Sequence, residues 1–144
     1  MRNPRPRRSR PNLDRARGIT KDGKPIFSET IEHQKVAQWL DENRVYFIHV
    51  PNEGKRTPWT GRTLKRMGMK AGVADFLIFD PPPNYPGSGG VALEIKALDG
   101  GKPTPAQVEF LGQMGLRNYR VRWYKGSEAA IAWLKECGYE KAKP

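Results

Sequence analysis

The spacing of apolar positions changes several times along the chain, and each change predicts an element. From residue 29 to about 43, Glu29, Glu32, Val36, Trp39 and Leu40 gather on one face at 100° per residue. Ser28 precedes them as an N-cap, so this stretch predicts a helix. Val45 to Val50 reads as a strand. A second helix is expected over about 60–68. Ala74-Asp75-Phe76-Leu77-Ile78-Phe79 and Val91 to Leu98 are short apolar strands, joined by the Pro-rich loop 81–90. Thr104-Pro105-Ala106-Gln107 opens a helix running to about Met114, with proline at its first position. Tyr119 to Tyr124 mixes aromatic and β-branched residues with Arg, as a strand does. Ser127 to about Cys137 closes the chain as a helix with Ala130, Ile131, Trp133 and Leu134 on its apolar side. The order α-β-α-β-β-α-β-α predicts an α/β domain, and no internal repeat is visible.

Charge divides the chain in two. Its 144 residues carry a net charge of +11. Residues 1–24 hold nine of the 26 Lys and Arg and only two of the 15 Asp and Glu. That stretch alternates Arg with Pro4, Pro6 and Pro11 and has almost nothing apolar to bury. It is expected to be a disordered basic tail that grips phosphates, ahead of a folded domain over 25–144. A strongly basic chain most often meets nucleic acid. No apolar run is long enough for a membrane span, and the N-terminus lacks the apolar core of a signal peptide. Cys137 is the single cysteine, so neither a disulfide framework nor a Cys/His zinc pattern is present, and a cytoplasmic setting fits.

The chemistry concentrates on two strands. Glu94 and Lys96 are two residues apart and so share a face, and Asp75 opens the strand before them. Opposite charges on an apolar strand are costly to bury without partners. Two carboxylates and the Ile95 carbonyl can ligate Mg²⁺ or Mn²⁺, leaving positions for water and phosphate. Lys96 can then orient the attacking water in hydrolysis of a phosphodiester. A Glu-x-Lys pair on a half-exposed strand can also be an ordinary surface pair. On the first helix Glu32 and Glu29 both lie on the apolar face; either can be a further ligand or an edge residue whose head reaches water. Gln107 can touch the lysine, while Thr104-x-x-Gln107 is equally a capping box, which the spacing alone favours.

Lys55, Arg56, Arg62, Lys65, Arg66 and Lys70 form a basic run suited to DNA phosphates, with Trp59 placed to stack on a base. Asn52 and Gly54 read as a tight turn that can approach phosphate. His33 and His49 stand far apart in sequence with no third nitrogen or sulfur ligand nearby, and are read as structural. Cys137 is read as packing.

Four blocks resemble the VRR-NUC domain, a branch of the PD-(D/E)xK nuclease superfamily. They are Ile48 to Arg56, Leu64 to Asp75, Leu93-Glu94-Ile95-Lys96 and Thr104-Pro105-Ala106-Gln107, in the family's order and approximate spacing. Glu32-His33-Gln34 fits the family's first motif. The resemblance spans about residues 28–138. It departs at Ala74, where the family usually has proline. It implies a restriction-endonuclease-like αβββαβ core and a metal-dependent site. It carries over to Glu32, Asp75, Glu94 and Lys96 as catalytic positions, with Gln107 as an accessory, and it favours Glu32 over Glu29. Similar stand-alone domains imply a homodimer that cuts branched DNA such as four-way junctions, in a bacterial cell or phage-infected host. Two rivals remain: a non-catalytic basic nucleic-acid-binding protein, and a sequence-specific restriction-type enzyme on the same core.

Overall fold

The computed structural model describes residues 16–19, 21, 25–51 and 58–142. Asn52, Gly54, Lys55, Arg56 and the Arg/Pro stretch 1–15 lie outside the described residues, as does the Trp59 side chain. Two short strands come first. β1 (Ala16–Ile19) and β2 (Pro25–Phe27) pair antiparallel as a separate two-stranded sheet. A paired strand therefore stands inside the 1–24 stretch expected to be disordered. The small apolar group Ile19, Ile26 and Phe27 straddles that boundary and is diluted by the arginines upstream.

Helix α1 (Glu29–Glu42) follows. Ser28 holds the N-cap position with extended backbone, but its side chain makes no capping hydrogen bond. Glu29 and Glu32 in the first turn complement the exposed N–H groups instead. The buried face is Glu32, His33, Val36 and Leu40. The helix ends where Val45 N–H returns to the Leu40 carbonyl and Arg44 takes a φ of 55°. That turn delays the next strand, β3, to Phe47–His49.

The main sheet has the order β3-β4-β5-β6, with β4 at Phe76–Ile78, β5 at Gly90–Lys96 and β6 at Tyr119–Lys125. The first three strands are mutually antiparallel, and β6 runs parallel to β5. A parallel pair needs a crossover, and α3 (Pro105–Leu116) supplies it. Helix α2 (Pro58–Arg66) lies between β3 and β4 in sequence, and α4 (Ser127–Cys137) follows β6. All eight elements expected from the sequence thus have a counterpart.

β5 is the axis of the core. Gly90 to Ile95 are all buried. Val91, Leu93 and Ile95 pack with Val36 and Leu40 of α1 and Trp133 and Leu134 of α4. Ala92 belongs to a smaller cluster with Ala74 and Leu111 of α3. Side chains alternate along a strand, so Glu94 and Lys96 share the α3 side with Ala92. Cys137 and Tyr139 sit in the larger cluster, where burial pushes the Cys137 thiol up to about 11. Among the described residues no helix is long and apolar enough to cross a membrane.

Gly72 sets the distance between the sheet and α3. Its φ is +74°, and a Cβ there would lie 2.3 Å from the Ala106 backbone carbon and 2.6 Å from the Gln107 nitrogen. Gly72→Ala is expected to lower stability by about 1–3 kcal/mol, read as a lower urea midpoint. Gly112 on α3 has nothing within 4 Å, and Gly112→Ala should raise the midpoint instead, by up to about 1 kcal/mol. Equal midpoints for the two variants would remove Gly72 from this role.

Candidate active site

Asp75 and Glu94 are 6% and 2% exposed, and they are locked to each other's strand. Ile95 N–H donates to Asp75 Oδ2 at 2.8 Å, and Asp75 N–H donates to Glu94 Oε2 at 3.2 Å. Each carboxylate thus accepts from the backbone beside or at the other acid. Burial, and then the charge of Asp75, push the Glu94 carboxyl up to about 7, against the opposing pull of Lys96.

Lys96 and Gln107 complete one network. Lys96 Nζ lies 3.3 Å from Glu94 Oε1 and donates to Gln107 Oε1 at 2.9 Å. Gln107 Nε2 donates to Glu94 Oε1 at 2.7 Å. The same residue also closes the capping box: Gln107 Oε1 accepts from Thr104 N–H at 2.8 Å, and Thr104 Oγ1 accepts from Gln107 N–H at 3.3 Å. One side chain therefore makes both the contact with Lys96 and the capping box. A glutamate there would satisfy the cap but would set a third acid against Glu94.

Glu32 also engages α4. It is fully buried, and its Oε2 accepts from Ser127 N–H at 2.7 Å, at the first residue of α4. Its hydrogen bond to α4 does not join it to the Asp75 and Glu94 network. Glu29, in the first turn, is half-buried. The basic positions Arg62, Lys65, Arg66 and Lys70 are exposed. Lys65 and Arg66 also suit the C-terminal turn of α2. Lys70 and Ala71 line a groove with Ala106 and Glu109, so this basic stretch runs beside the first turns of α3.

The two histidines, read from the sequence as structural, adjoin this network. Far apart in the chain, they meet in the fold: His49 Nε2 lies 3.0 Å from His33 Nδ1. His33 Nε2 lies 3.2 Å from Asp75 Oδ2 and 3.2 Å from the Ile95 carbonyl. Burial alone would lower the His33 pKa, but hydrogen bonding and the charge of Asp75 outweigh it and the net shift is upward. A signal was present in part. His33 sits on the apolar face of α1 beside Glu32, but only the β3–β4 register, His49 opposite Phe76, brings His49 to it.

Does this arrangement suit a divalent ion? The donor set is hard oxygen: two carboxylates and a peptide carbonyl. A cation held by the two acids would offset the burial and the Asp75 charge that raise Glu94. Among the described residues no three His, Cys, Asp or Glu side chains gather as a metal cluster. The protein ligands would thus be few, as Mg²⁺ tolerates, since it keeps several waters and takes one or two carboxylates. The residues fit such an ion.

No family model matches the chain, and comparison with curated proteins found no match. A solved structure named VRR_NUC domain protein is similar, with a TM-score of 0.56 and 24% identity, over 75% of this chain and 82% of that one. At that identity the likeness is one of fold. The mixed α/β arrangement of this chain is thus similar to the fold of that structure.

Proposed function

We propose that this chain is a Mg²⁺- or Mn²⁺-dependent nuclease that hydrolyses phosphodiester bonds in DNA, built on a PD-(D/E)xK core formed by α1, β3, β4, β5, α3 and β6. The observation that carries this reading is the buried Asp75–Glu94 pair joined to Lys96 through Gln107. A protein that only bound phosphate would gain nothing from two buried acids, which repel it.

In this reading Asp75, Glu94 and the Ile95 carbonyl hold the ion. When bound, the ion lowers the pKa of a water and offsets charge on the phosphate. The chain's own residues do the rest. Lys96, fixed by Gln107, presents its ammonium beside Glu94, where it orients the attacking water. Gln107 hydrogen-bonds both the Glu94 and the Lys96 heads and so holds them in a defined geometry. Arg62, Lys65, Arg66 and Lys70, with Lys55 and Arg56, draw in the DNA backbone. We further propose a homodimer acting on branched DNA, because symmetric cutting of a four-way junction needs two identical sites.

Asp75→Asn, Glu94→Gln and Lys96→Ala should each slow cleavage by at least about 100-fold, with DNA binding retained or tightened for the two carboxylate variants. Cleavage by the wild type should require Mg²⁺ or Mn²⁺ and stop in EDTA. Activity in EDTA, or near-normal cutting by Lys96→Ala, would overturn the assignment.

Glu32 is tested separately. Because it anchors Ser127 N–H, Glu32→Ala should cost about 1–3 kcal/mol of stability, whereas Glu32→Gln keeps an acceptor and the fold. Glu32→Gln is expected to leave Mn²⁺ affinity unchanged. Affinity lost at constant stability would return Glu32 to the ligand set that the family resemblance implies.

Substrate choice is read from linear, flap, splayed and four-way DNA. Four-way junctions should be cut fastest, and light scattering should give twice 16.4 kDa. A monomer that cuts linear duplex and junction equally is a general nuclease.

A further inference from the structure

We propose that Trp123 and Lys125 of β6 hold the nucleotide beside the cut bond, the indole stacking on a base whose face is free and the ammonium taking a flanking phosphate. This deepens the nuclease reading above, on which it rests, by naming the DNA that the site favours: one with an unstacked base at the cut. β6 runs parallel to β5, with Glu94 paired to Trp123 and Lys96 paired to Lys125. Paired positions on neighbouring strands point to the same face of a sheet. Trp123 and Lys125 therefore stand on the face that carries Glu94 and Lys96. Neighbouring strands lie about 4.8 Å apart. Successive nucleotides of one DNA strand rise about 3.4 Å. A phosphate held at Glu94 thus brings the next nucleotide, or the one after it, over Trp123.

Packing does not account for this tryptophan. Val121, two residues earlier on the same face, packs against the cluster of Ala92 and Leu111. Trp123 is 36% exposed and joins neither hydrophobic cluster. Trp133, by contrast, is 5% exposed in the main core, with Tyr124 against it at 6.2 Å. An indole left open beside a phosphate site has a π-face to offer, and every base can stack on it.

Lys125 supplies the charge. It is exposed, and among the described residues no carboxylate forms an ion pair with it. It is in register with Lys96, and like charges at paired positions repel. A phosphate over the pair is the counter-charge that this arrangement lacks. The Lys96 ammonium is already engaged by Glu94 and Gln107, so Lys125 is the cation left for a ligand. The strand order puts Asp75, at the entry to β4, on one side of Glu94 and Trp123 on the other. A DNA strand laid across the acids in the direction β4-β5-β6 meets Trp123 as it leaves. In continuous duplex each base is stacked on both faces and offers none to an indole. A branch point or a single strand does.

The test uses the full chain and splayed DNA carrying 2-aminopurine at one position at a time around the branch. Wild-type protein in Mg²⁺ first maps the cut bond. Asp75→Asn protein in Mg²⁺ then binds without cutting, and stacking should quench the probe at a nucleotide flanking the mapped bond. Quenching should persist when Trp123→Phe, which keeps a ring, is added to Asp75→Asn. It should be lost when Trp123→Leu is added instead. In that background Trp123→Leu should bind splayed DNA about 5–150-fold more weakly, with continuous-duplex affinity and the urea midpoint unchanged. Lys125→Gln should lower the salt slope of binding by about 0.7–0.9. No quenching beside the cut in Asp75→Asn protein, a result that needs no change at Trp123, overturns the proposal while wild-type cutting leaves the nuclease reading standing. Equal losses in Trp123→Phe and Trp123→Leu, or equal losses on splayed and continuous DNA, overturn it as well. If the wild type cuts no DNA with Mg²⁺ or Mn²⁺, the nuclease reading falls and the placement beside a cut bond falls with it.

Discussion

Everything in the site depends on how two acids are kept inside the protein. Burying an ionised carboxylate is costly unless it is hydrogen-bonded or paired. Asp75 and Glu94 meet that requirement by a reciprocal exchange, each accepting an N–H from the other's neighbourhood. The exchange joins the entry to β4 to the end of β5, so their relative position is set by strand pairing rather than by flexible side chains. It satisfies part of each carboxylate but leaves the cost of burial and, after it, the charge of Asp75, which push the Glu94 carboxyl up to about 7. In the proposed reading a cation held here offsets that cost.

β5 supplies the second constraint. Its odd positions, Val91, Leu93 and Ile95, are committed to the main core, and its even positions carry Ala92 and then the two charges. A single strand therefore anchors the hydrophobic interior with one face and the chemistry with the other. A slip of one residue in its pairing would exchange the faces and bury Lys96 among leucines. The buried alternation is what makes the position of the charges secure. Gly72 plays the matching part for α3, letting its first turn approach so that Gln107 reaches both heads.

The parts legible in the sequence were those governed by local period or local spacing. The α1 face, the run Val91 to Lys96 and the Thr104–Gln107 cap all follow from residues a few positions apart, and all are present. Glu94 and Lys96 sharing a face needed only the two-residue repeat. What was hidden depended on pairing between distant segments. His49 comes near His33 only because β3 pairs with β4 in one register, and that register is not written in either segment. Glu32 is read as a candidate ligand because it is an acid on an apolar face and because the family resemblance implies it. Its hydrogen-bond partner, Ser127 N–H, lies 95 residues away and could not be read from α1. Ser28 was suited to capping by type, yet capping also needs a rotamer aimed at the first turn. The β1–β2 hairpin was obscured because composition was averaged over a stretch dominated by arginine.

The same reasoning reconciles a basic protein with an acidic centre. The cations on α2 and at Lys70 are exposed and in high-dielectric surroundings, where they attract a polyanion over a Debye length without fixing its position. The acids are buried, where an unscreened carboxylate would repel phosphate strongly. Attraction at the surface and repulsion within give binding without productive approach, unless positive charge is added at Asp75 and Glu94. Lys96 adds some, but Glu94 and Gln107 already engage its ammonium. In the proposed reading a divalent ion supplies that charge. In that reading the added charge separates the proposed nuclease from a protein that merely coats DNA.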